Sequence, residues 1–299
     1  MKIPELTPGD PIVIETSDWA LLPGGVGPGQ HVFAIGDING NGRLLGAVLA
    51  HIAGQSITSE RPADLVFLGN IIGPGPRNRL SVKHACAALA DISFGETVAL
   101  IGMEEIVAFE GLTRSGSDLD KLWRQKRLPL WINEDTPMTG RERPSEINDL
   151  LDVMRPAWRC GDIIFVHSGL HPQMTHAQAL RYGFEATDPH HPSVIGHKFL
   201  DWHYSWADGE KIVICHSGEA LIDGPTHFDD FLLASVHIQT HRRVSLNALG
   251  GPIGQIAWAE FHDDRIRVGW CQDPRMLALM AWRVGRHLDA LDEEDTGRP

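Results

Sequence analysis

The residues of this chain that are equipped for chemistry follow short apolar runs, each at a turn that contains glycine. Asp37 and Asn39 follow the run VFAIG, Asn70 follows VFLG, and His167 follows IIFV. Carboxylate, amide and imidazole side chains are ligands for divalent cations such as Mn²⁺ and Fe²⁺. The end of a strand is also the usual position of a ligand site in α/β proteins. The spacing therefore predicts one site, assembled from the ends of several strands.

Five further residues near these turns could hold or transform an anion. His216 ends the apolar run KIVIC, Glu104 opens a helical segment, and Arg43, Arg77 and Arg79 lie beside the first turns. Guanidinium groups bind phosphate through paired hydrogen bonds. Each residue also has an ordinary alternative, because acids favour the start of a helix and arginines are usually solvated at the surface.

Two of the strand-end residues have structural alternatives as well. Asp37 could be the N-cap of the helix that follows it. His167 could be a buried, hydrogen-bonded core histidine. For the late histidine of the site, His216 competes with His227 and His237, and the sequence leaves that choice open.

Strands and helices alternate in the first half of the chain. The apolar run at 32–35 precedes a helical pattern at 44–52, and a strand at 64–70 precedes a helix at 82–92. This alternation indicates an α/β layered domain. From residue 211 onward, strands follow one another without long helices, so we expect that half of the sheet structure to be mixed or antiparallel.

The chain is predicted to form a single domain between two irregular ends. Residues 1–30 are rich in Pro and Gly and predict an irregular lead-in, 31–285 predict the domain, and 286–299 predict a charged tail. Within the domain, a polar stretch at about 112–150 predicts a helical insertion that shapes a substrate mouth.

Composition excludes several classes of partner. The 299 residues carry 39 acidic and 26 basic side chains, a formal net charge of -13, which argues against nucleic acid and anionic membranes as partners. The four cysteines show no CxxC spacing, so neither a zinc knuckle nor a disulfide framework is predicted. No long apolar run or secretory leader is visible, and we expect a cytoplasmic protein.

The order of the turn motifs resembles the calcineurin-like metallophosphoesterases, in the branch of bacterial serine/threonine protein phosphatases and diadenosine tetraphosphatases. The motifs are IGDING at 35–40, FLGNIIGPGP at 67–76, LIGMEE at 100–105, FVHSGL at 165–170 and VICHSG at 213–218. The family signatures run GD-x-HG, GD-x-x-D-R-G, GN-H-E/D, H-x-G-L and GH-T in the same order. The resemblance implies a metallophosphoesterase-type α/β sandwich of two mixed sheets flanked by helices, with a two-metal site for phosphoester hydrolysis.

The resemblance also implies a role for each matching position. Asp37, His167 and His216 stand where the family has metal ligands. Asn70 stands where an aspartate bridges the two metals, and Asn39 stands where a histidine ligand would be. Met103 replaces a ligand asparagine, Glu104 replaces the general-acid histidine, and Gly73 and Pro74 replace an aspartate and an arginine.

Three of the six expected ligand positions are thus kept, which favours a pseudophosphatase that binds a partner protein or a phosphorylated or other anionic ligand. We expect no metal, or one weakly bound Mn, Fe or Mg ion held by Asp37, His167 and His216 with weak help from Asn70. The alternative is an active phosphoesterase with a rebuilt one-metal site, acting on phosphoproteins or dinucleoside polyphosphates. Arg77 or Arg79 would then hold the phosphate.

A third alternative is a structural subunit of an assembly. Its contacts would be made by a tryptophan-rich set of residues, Trp123, Trp131, Trp158, Trp202 and Trp206. A large exposed apolar patch around these side chains would favour that interpretation.

Overall fold

The structure is a computed structural model. It describes residues 12–56, 61–113, 116–128, 145–168, 211–217, 236–239, 242–248 and 254–274. The described elements form two β-sheets and five α-helices.

The larger sheet contains strands from both ends of the described chain. Its strands are β1 Val13–Thr16, β2 Ala20–Leu21, β3 Gly27–Ile35, β4 Asp64–Phe67, β5 Thr97–Ala99, β11 Gln255–Asp263 and β12 Arg265–Gln272. They lie in the order β1-β12-β11-β3-β4-β5, and β2 pairs with β12. Strands β3, β4 and β5 are parallel, whereas β11, β12, β1 and β2 join antiparallel.

The smaller sheet comes from the second half of the chain. Its strands are β6 Ala157–Cys160, β7 Ile163–Val166, β8 Val213–His216, β9 Val236–Gln239 and β10 Arg243–Leu246. They lie in the order β6-β7-β8-β10-β9. The three central strands are parallel and the two outer strands are antiparallel, so the expectation of mixed pairing is confirmed.

The helices accompany the larger sheet. They are α1 Gly42–Ser56, α2 Asn78–Leu89, α3 Met103–Thr113, α4 Asp118–Leu122 and α5 Ser145–Val153, with a π-helical turn at Trp123–Arg127. The last three elements lie in the stretch about 112–150 for which a helical insertion was predicted. The outer limits of the domain stay a prediction.

Successive side chains of the buried strands point to opposite faces of the larger sheet, and a hydrophobic core forms on each face. In β3, Phe33 and Ile35 pack with apolar residues of the helices, whereas Val32 and Ala34 pack with residues of the smaller sheet such as Phe165. A strand covered on both faces needs a continuous apolar run, which explains the sequence VFAI. The predicted α/β sandwich of two mixed sheets flanked by helices is therefore confirmed.

Part of the predicted lead-in is regular structure. The stretch 12–30 contributes β1, β2 and the start of β3, and β1 and β2 pair with β12 from the far end of the described chain. Those strands were missed because their partner is distant in sequence and their length is two to four residues. Residues 1–11 and the predicted tail at 286–299 lie outside the described residues.

Two tryptophans of the proposed contact set are buried. Trp123 and Trp158 are 2% and 5% exposed, so neither presents an apolar surface to a partner. Trp131, Trp202 and Trp206 lie outside the described residues. None of the described helices is long and apolar enough to pass through a membrane.

Candidate functional site

Strand register brings the first three motifs to one edge of the larger sheet. Ile35 pairs with Phe67, and Phe67 pairs with Ala99. Because the three strands are parallel, their carboxyl ends meet, and the turns after them carry the polar residues. Asp37 and Asn70 therefore lie side by side, as the spacing predicted.

Register in the smaller sheet brings two further turns to the same place. Phe165 of β7 pairs with Cys215 of β8, so the residues two positions later, His167 and Ser217, also lie together. The backbone confirms this, since the N–H of Ser217 donates to the carbonyl oxygen of His167 at 3.0 Å. Both side chains are buried and lie against the turns of the larger sheet.

Asp37 is the centre of the hydrogen-bonded cluster that results. The Asn70 Nδ2 donates to Asp37 Oδ2 at 2.8 Å, and the Ser217 hydroxyl donates to Asp37 Oδ1 at 2.6 Å. Asp37 is 2% exposed. Helix α1 begins only at Gly42, so Asp37 is not its N-cap, and that alternative is wrong.

The orientation of the Asn70 amide is fixed by its surroundings. Its Oδ1 accepts from the backbone N–H of Glu104 at 2.9 Å, and a backbone N–H can only donate. The NH₂ group must therefore face Asp37, where a carboxylate accepts it. Asn70 consequently directs a donor, and not its carbonyl oxygen, toward the position that the resemblance gives to a metal pair.

Both asparagines of the site lie at left-handed backbone positions. Asn39 has φ 51° and Asn70 has φ 48°, and asparagine is among the few residues other than glycine that adopt this region readily. Asn39 also packs closely on the next loop, because a Cβ on Gly73 would lie 2.7 Å from Asn39 Oδ1. Tight turns thus give a physical reason for asparagine at both positions that does not depend on a metal site.

His167 keeps the tautomer of a metal ligand. Its Nδ1 lies 2.8 Å from the carbonyl oxygen of Leu68, so Nδ1 carries the proton and donates. Metal-binding histidines commonly use one nitrogen in this way and the other for the metal. Asp37 Oδ1 lies 3.7 Å from the same Nδ1. His167 is at once a buried histidine and a member of the site, so the two interpretations are compatible.

The smaller sheet turns His216 away from Asp37. Cys215 packs in the core between the sheets, and successive strand residues point to opposite faces. His216 therefore lies on the face of the smaller sheet that points away from the larger sheet, where it is buried. Its Nε2 accepts from Arg243 Nε at 2.8 Å. Burial raises the pKa of the Cys215 thiol, which is consistent with an inert core residue. His227 and the side chain of His237 lie outside the described residues.

Glu105 is a site residue that sequence reasoning missed. Its carboxylate is fully buried and accepts three backbone N–H groups, from Asn70 at 2.8 Å, Gly102 at 2.9 Å and Ile72 at 3.1 Å. Burial raises the pKa of Glu105 to about 7, while these N–H groups and nearby His167 oppose the rise. The acid holds the turns after β4 and β5 together.

The other residues of the third motif serve local structure. Met103 begins α3 and packs partly buried against the helix-side core. Glu104 lies in the first turn of α3, and its backbone N–H donates to Asn70 Oδ1. The role of the Glu104 side chain as an acid stays a prediction.

The three candidate arginines lie in α1, just before α2 and within α2. Arg43 is half exposed and donates to Asp273 at 3.2 Å. Arg77 is exposed and immediately precedes α2, and its backbone N–H donates to the carbonyl oxygen of Gly40. Arg79 lies on α2 and is half-buried. Anion binding by these arginines stays a prediction.

These contacts do not fit a pair of divalent cations. Both oxygens of Asp37 accept hydrogen bonds, and Asn70 turns a donor toward it. Among the described residues, no three His, Cys, Asp or Glu side chains are grouped closely enough to hold a metal ion. A neutral amide is also a poor bridge between two cations, because it does not offset their repulsion. His167 has a tautomer that suits a metal ligand.

No protein-family model matches the chain, and no curated protein matches it. Solved structures similar to it include a candidate diadenosine tetraphosphatase, at 15% identity and a TM-score of 0.49, covering 80% of this chain and 92% of that one. A cold-active protein-tyrosine phosphatase from a psychrophilic Shewanella species is 14% identical, with a TM-score of 0.47 and coverage of 80% and 77%.

A metallophosphoesterase from Sphaerobacter thermophilus is 16% identical, with a TM-score of 0.40 and coverage of 80% of this chain and 86% of that chain. With identities of 14–16% and TM-scores below 0.5, these likenesses carry no argument about the family or the activity of this chain.

Proposed function

We propose that this chain is a pseudophosphatase, which has the phosphoesterase fold without the family's two-metal hydrolysis and uses its cleft to bind a partner protein or an anionic ligand. The observation that carries the proposal is the orientation of Asn70. Its amide oxygen is committed to the N–H of Glu104 and its NH₂ group to Asp37. A bridging ligand for two cations would need a negatively charged oxygen in that position.

The small negative charge at the site supports the same conclusion. Asp37 supplies a formal charge of about -1 at the site, against two divalent cations in the family mechanism. Placing that much uncompensated positive charge in a buried cluster costs several kcal/mol. A single replacement could be tolerated, but Asn39, Asn70, Met103 and Glu104 together remove ligands and the catalytic acid.

One observation favours the alternative, an active phosphoesterase with one metal. The Nδ1–H of His167 donates to Leu68, which is the arrangement of a metal-binding histidine. In that case Asp37 and His167 would hold the ion. The substrates would be phosphoproteins or dinucleoside polyphosphates, as in the family that the sequence resembles.

Metal content and hydrolysis, measured together, separate the two functions. The purified protein would be incubated with Mn²⁺ and desalted, and the metal per chain would be counted by mass spectrometry. The same sample would be assayed with p-nitrophenyl phosphate, a phosphopeptide and diadenosine tetraphosphate. We expect metal close to zero and no hydrolysis above the blank. About one metal per chain, with hydrolysis that Asp37→Ala and His167→Ala both abolish, would establish the active enzyme instead.

A further inference from the structure

We infer that the residues at the family's metal positions form a clamp that joins the two sheets directly and needs no metal. The inter-sheet clamp consists of Asp37, Asn70 and the Leu68 carbonyl group from the larger sheet, and His167 and Ser217 from the smaller sheet. It goes beyond the proposed function, because it concerns what holds the sandwich together at this end and not whether the protein hydrolyses a substrate.

Two buried hydrogen bonds cross from one sheet to the other within the clamp. The Ser217 hydroxyl donates to Asp37 Oδ1 at 2.6 Å, and the Nδ1–H of His167 donates to the Leu68 carbonyl oxygen at 2.8 Å. The first ends on a carboxyl oxygen, and hydrogen bonds to ionised carboxylates are roughly twice as strong as those between neutral groups. Ser217 is 0% exposed, so water does not compete for its hydroxyl group.

Asn70 makes the clamp independent of metal. A carboxylate at that position would lie within hydrogen-bonding distance of Asp37, and two like charges so close would need a shared proton or a cation between them. The amide replaces that repulsion by a hydrogen bond at 2.8 Å. Side chains and backbone of the protein itself therefore make the connection between the two sheets.

The first test compares the thermal unfolding of the parent protein in chelator and in Mn²⁺. We expect the unfolding temperature to differ by no more than about 1 °C, because no part of the clamp uses metal. An increase of several degrees in Mn²⁺ would overturn the clamp. Hydrolysis is measured on the same samples: activity with an unchanged unfolding temperature would overturn the proposed function and leave the clamp standing.

The second test removes the hydroxyl group that crosses between the sheets. Ser217→Ala should lower the unfolding temperature by about 4 °C, since a buried carboxylate loses a donor. Ser81→Ala is the matched control, because Ser81 is equally buried but its hydroxyl donates to the backbone carbonyl of Arg77, just before its own helix, at 3.2 Å. An equal effect of the two variants would overturn the clamp.

The third test restores the carboxylate pair. Asn70→Asp should unfold several degrees below the parent in chelator and recover part of that loss in Mn²⁺. Asn78→Asp is the control, because Asn78 is a buried asparagine close to Asn70 in the sequence, and its side chain bonds to the backbone of Gly73 and Gly75. That variant should lose stability with no response to Mn²⁺. If Asn70→Asp matches the parent in chelator, or responds to Mn²⁺ no more than Asn78→Asp does, the clamp is overturned.

Discussion

Asn70 shows how one side chain sets the electrostatics of the site. Its amide lies 2.8 Å from Asp37, a separation at which two carboxylates would repel by on the order of 5 kcal/mol at an effective dielectric constant of 20. The same residue tolerates a left-handed backbone, with φ 48°. One residue type therefore satisfies a geometric and an electrostatic requirement, because the amide stabilises the Asp37 carboxyl group without adding a second negative charge.

Glu105 is a second single residue with a measurable effect, because it should make the free energy of unfolding depend on pH. Its folded pKa is raised from 4.5 to about 7, so its contribution to stability is complete below about pH 4.5 and is lost as the pH rises through 7. At about 1.4 kcal/mol per pKa unit, the total is about 3 kcal/mol. Glu105→Gln does not titrate. Relative to that variant, the free energy of unfolding of the parent should fall by this amount between pH 4.5 and 8.

The measurement is urea denaturation at a series of pH values. Glu104→Gln is the control, since its neighbour Glu105 is unchanged and the pH profile of the parent should persist. If the difference between the parent and Glu105→Gln stays constant across the range, then Glu105 does not titrate near neutral pH.

At the scale of elements, the close approach of β3 and β10 sets a limit on substitution. A Cβ on Gly36, in the turn after β3, would lie 2.1 Å from the carbonyl oxygen of Leu246 at the end of β10. Because that oxygen belongs to the backbone, Gly36→Ala must move one strand end. The expected loss is about 1–3 kcal/mol, the usual range for overpacking in a core.

The control for Gly36→Ala lies in a helix. Gly54 of α1 has nothing within 4 Å of an added Cβ, so Gly54→Ala should raise stability by about 0.5–1 kcal/mol through helix propensity. Thermal unfolding of both variants gives the comparison. A neutral Gly36→Ala would show that the ends of β3 and β10 separate at low cost.

The elements also show where sequence reasoning succeeds. The parallel strands β3, β4 and β5 were predictable, because a strand buried on both faces is a continuous apolar run bounded by glycine. Strands β1 and β2 were not, because their partner β12 lies at the other end of the described chain and short exposed strands have no local period. Pairing of that kind is decided by the tertiary structure.

Some residues of the candidate site could be predicted from the sequence and others could not. The order of motifs predicted that Asp37, Asn70 and His167 meet, and they do. Ser217 was missed, although the signal was available: Cys215 is apolar and two residues earlier, so Ser217 shares its inward face and His216 does not. The role of Glu105 could not be predicted, because acids are common in the first turn of a helix. Its burial depends on loops that follow other strands.

For the whole molecule, the sandwich explains why the fold does not depend on a metal pair at the site. Hydrophobic cores cover both faces of the larger sheet, and together they bury side chains from both sheets and all the long helices. Burial of apolar surface is the dominant favourable term in folding. A metal pair at one edge is therefore not needed for folding, and the positions around it are open to replacement.

The last prediction restores the family ligands in this intact scaffold. The combined variant Asn39→His, Asn70→Asp, Met103→Asn and Glu104→His should bind at least about one Mn²⁺ per chain where the parent binds close to none, because it regains a carboxylate pair and imidazole ligands. Some stability will be lost, since Met103 packs against the core and Asn39 packs closely against Gly73. Folding must therefore be verified by circular dichroism on the same sample.

Adding Asp37→Ala to this variant is the control. Asp37 is the carboxylate already present at the site, and its removal should abolish the added metal binding while leaving the other replacements in place. If the combined variant folds and binds no more metal than the parent, the correspondence of these positions with the family ligands is wrong. The clamp and the pseudophosphatase would then need an origin other than a dismantled metal site.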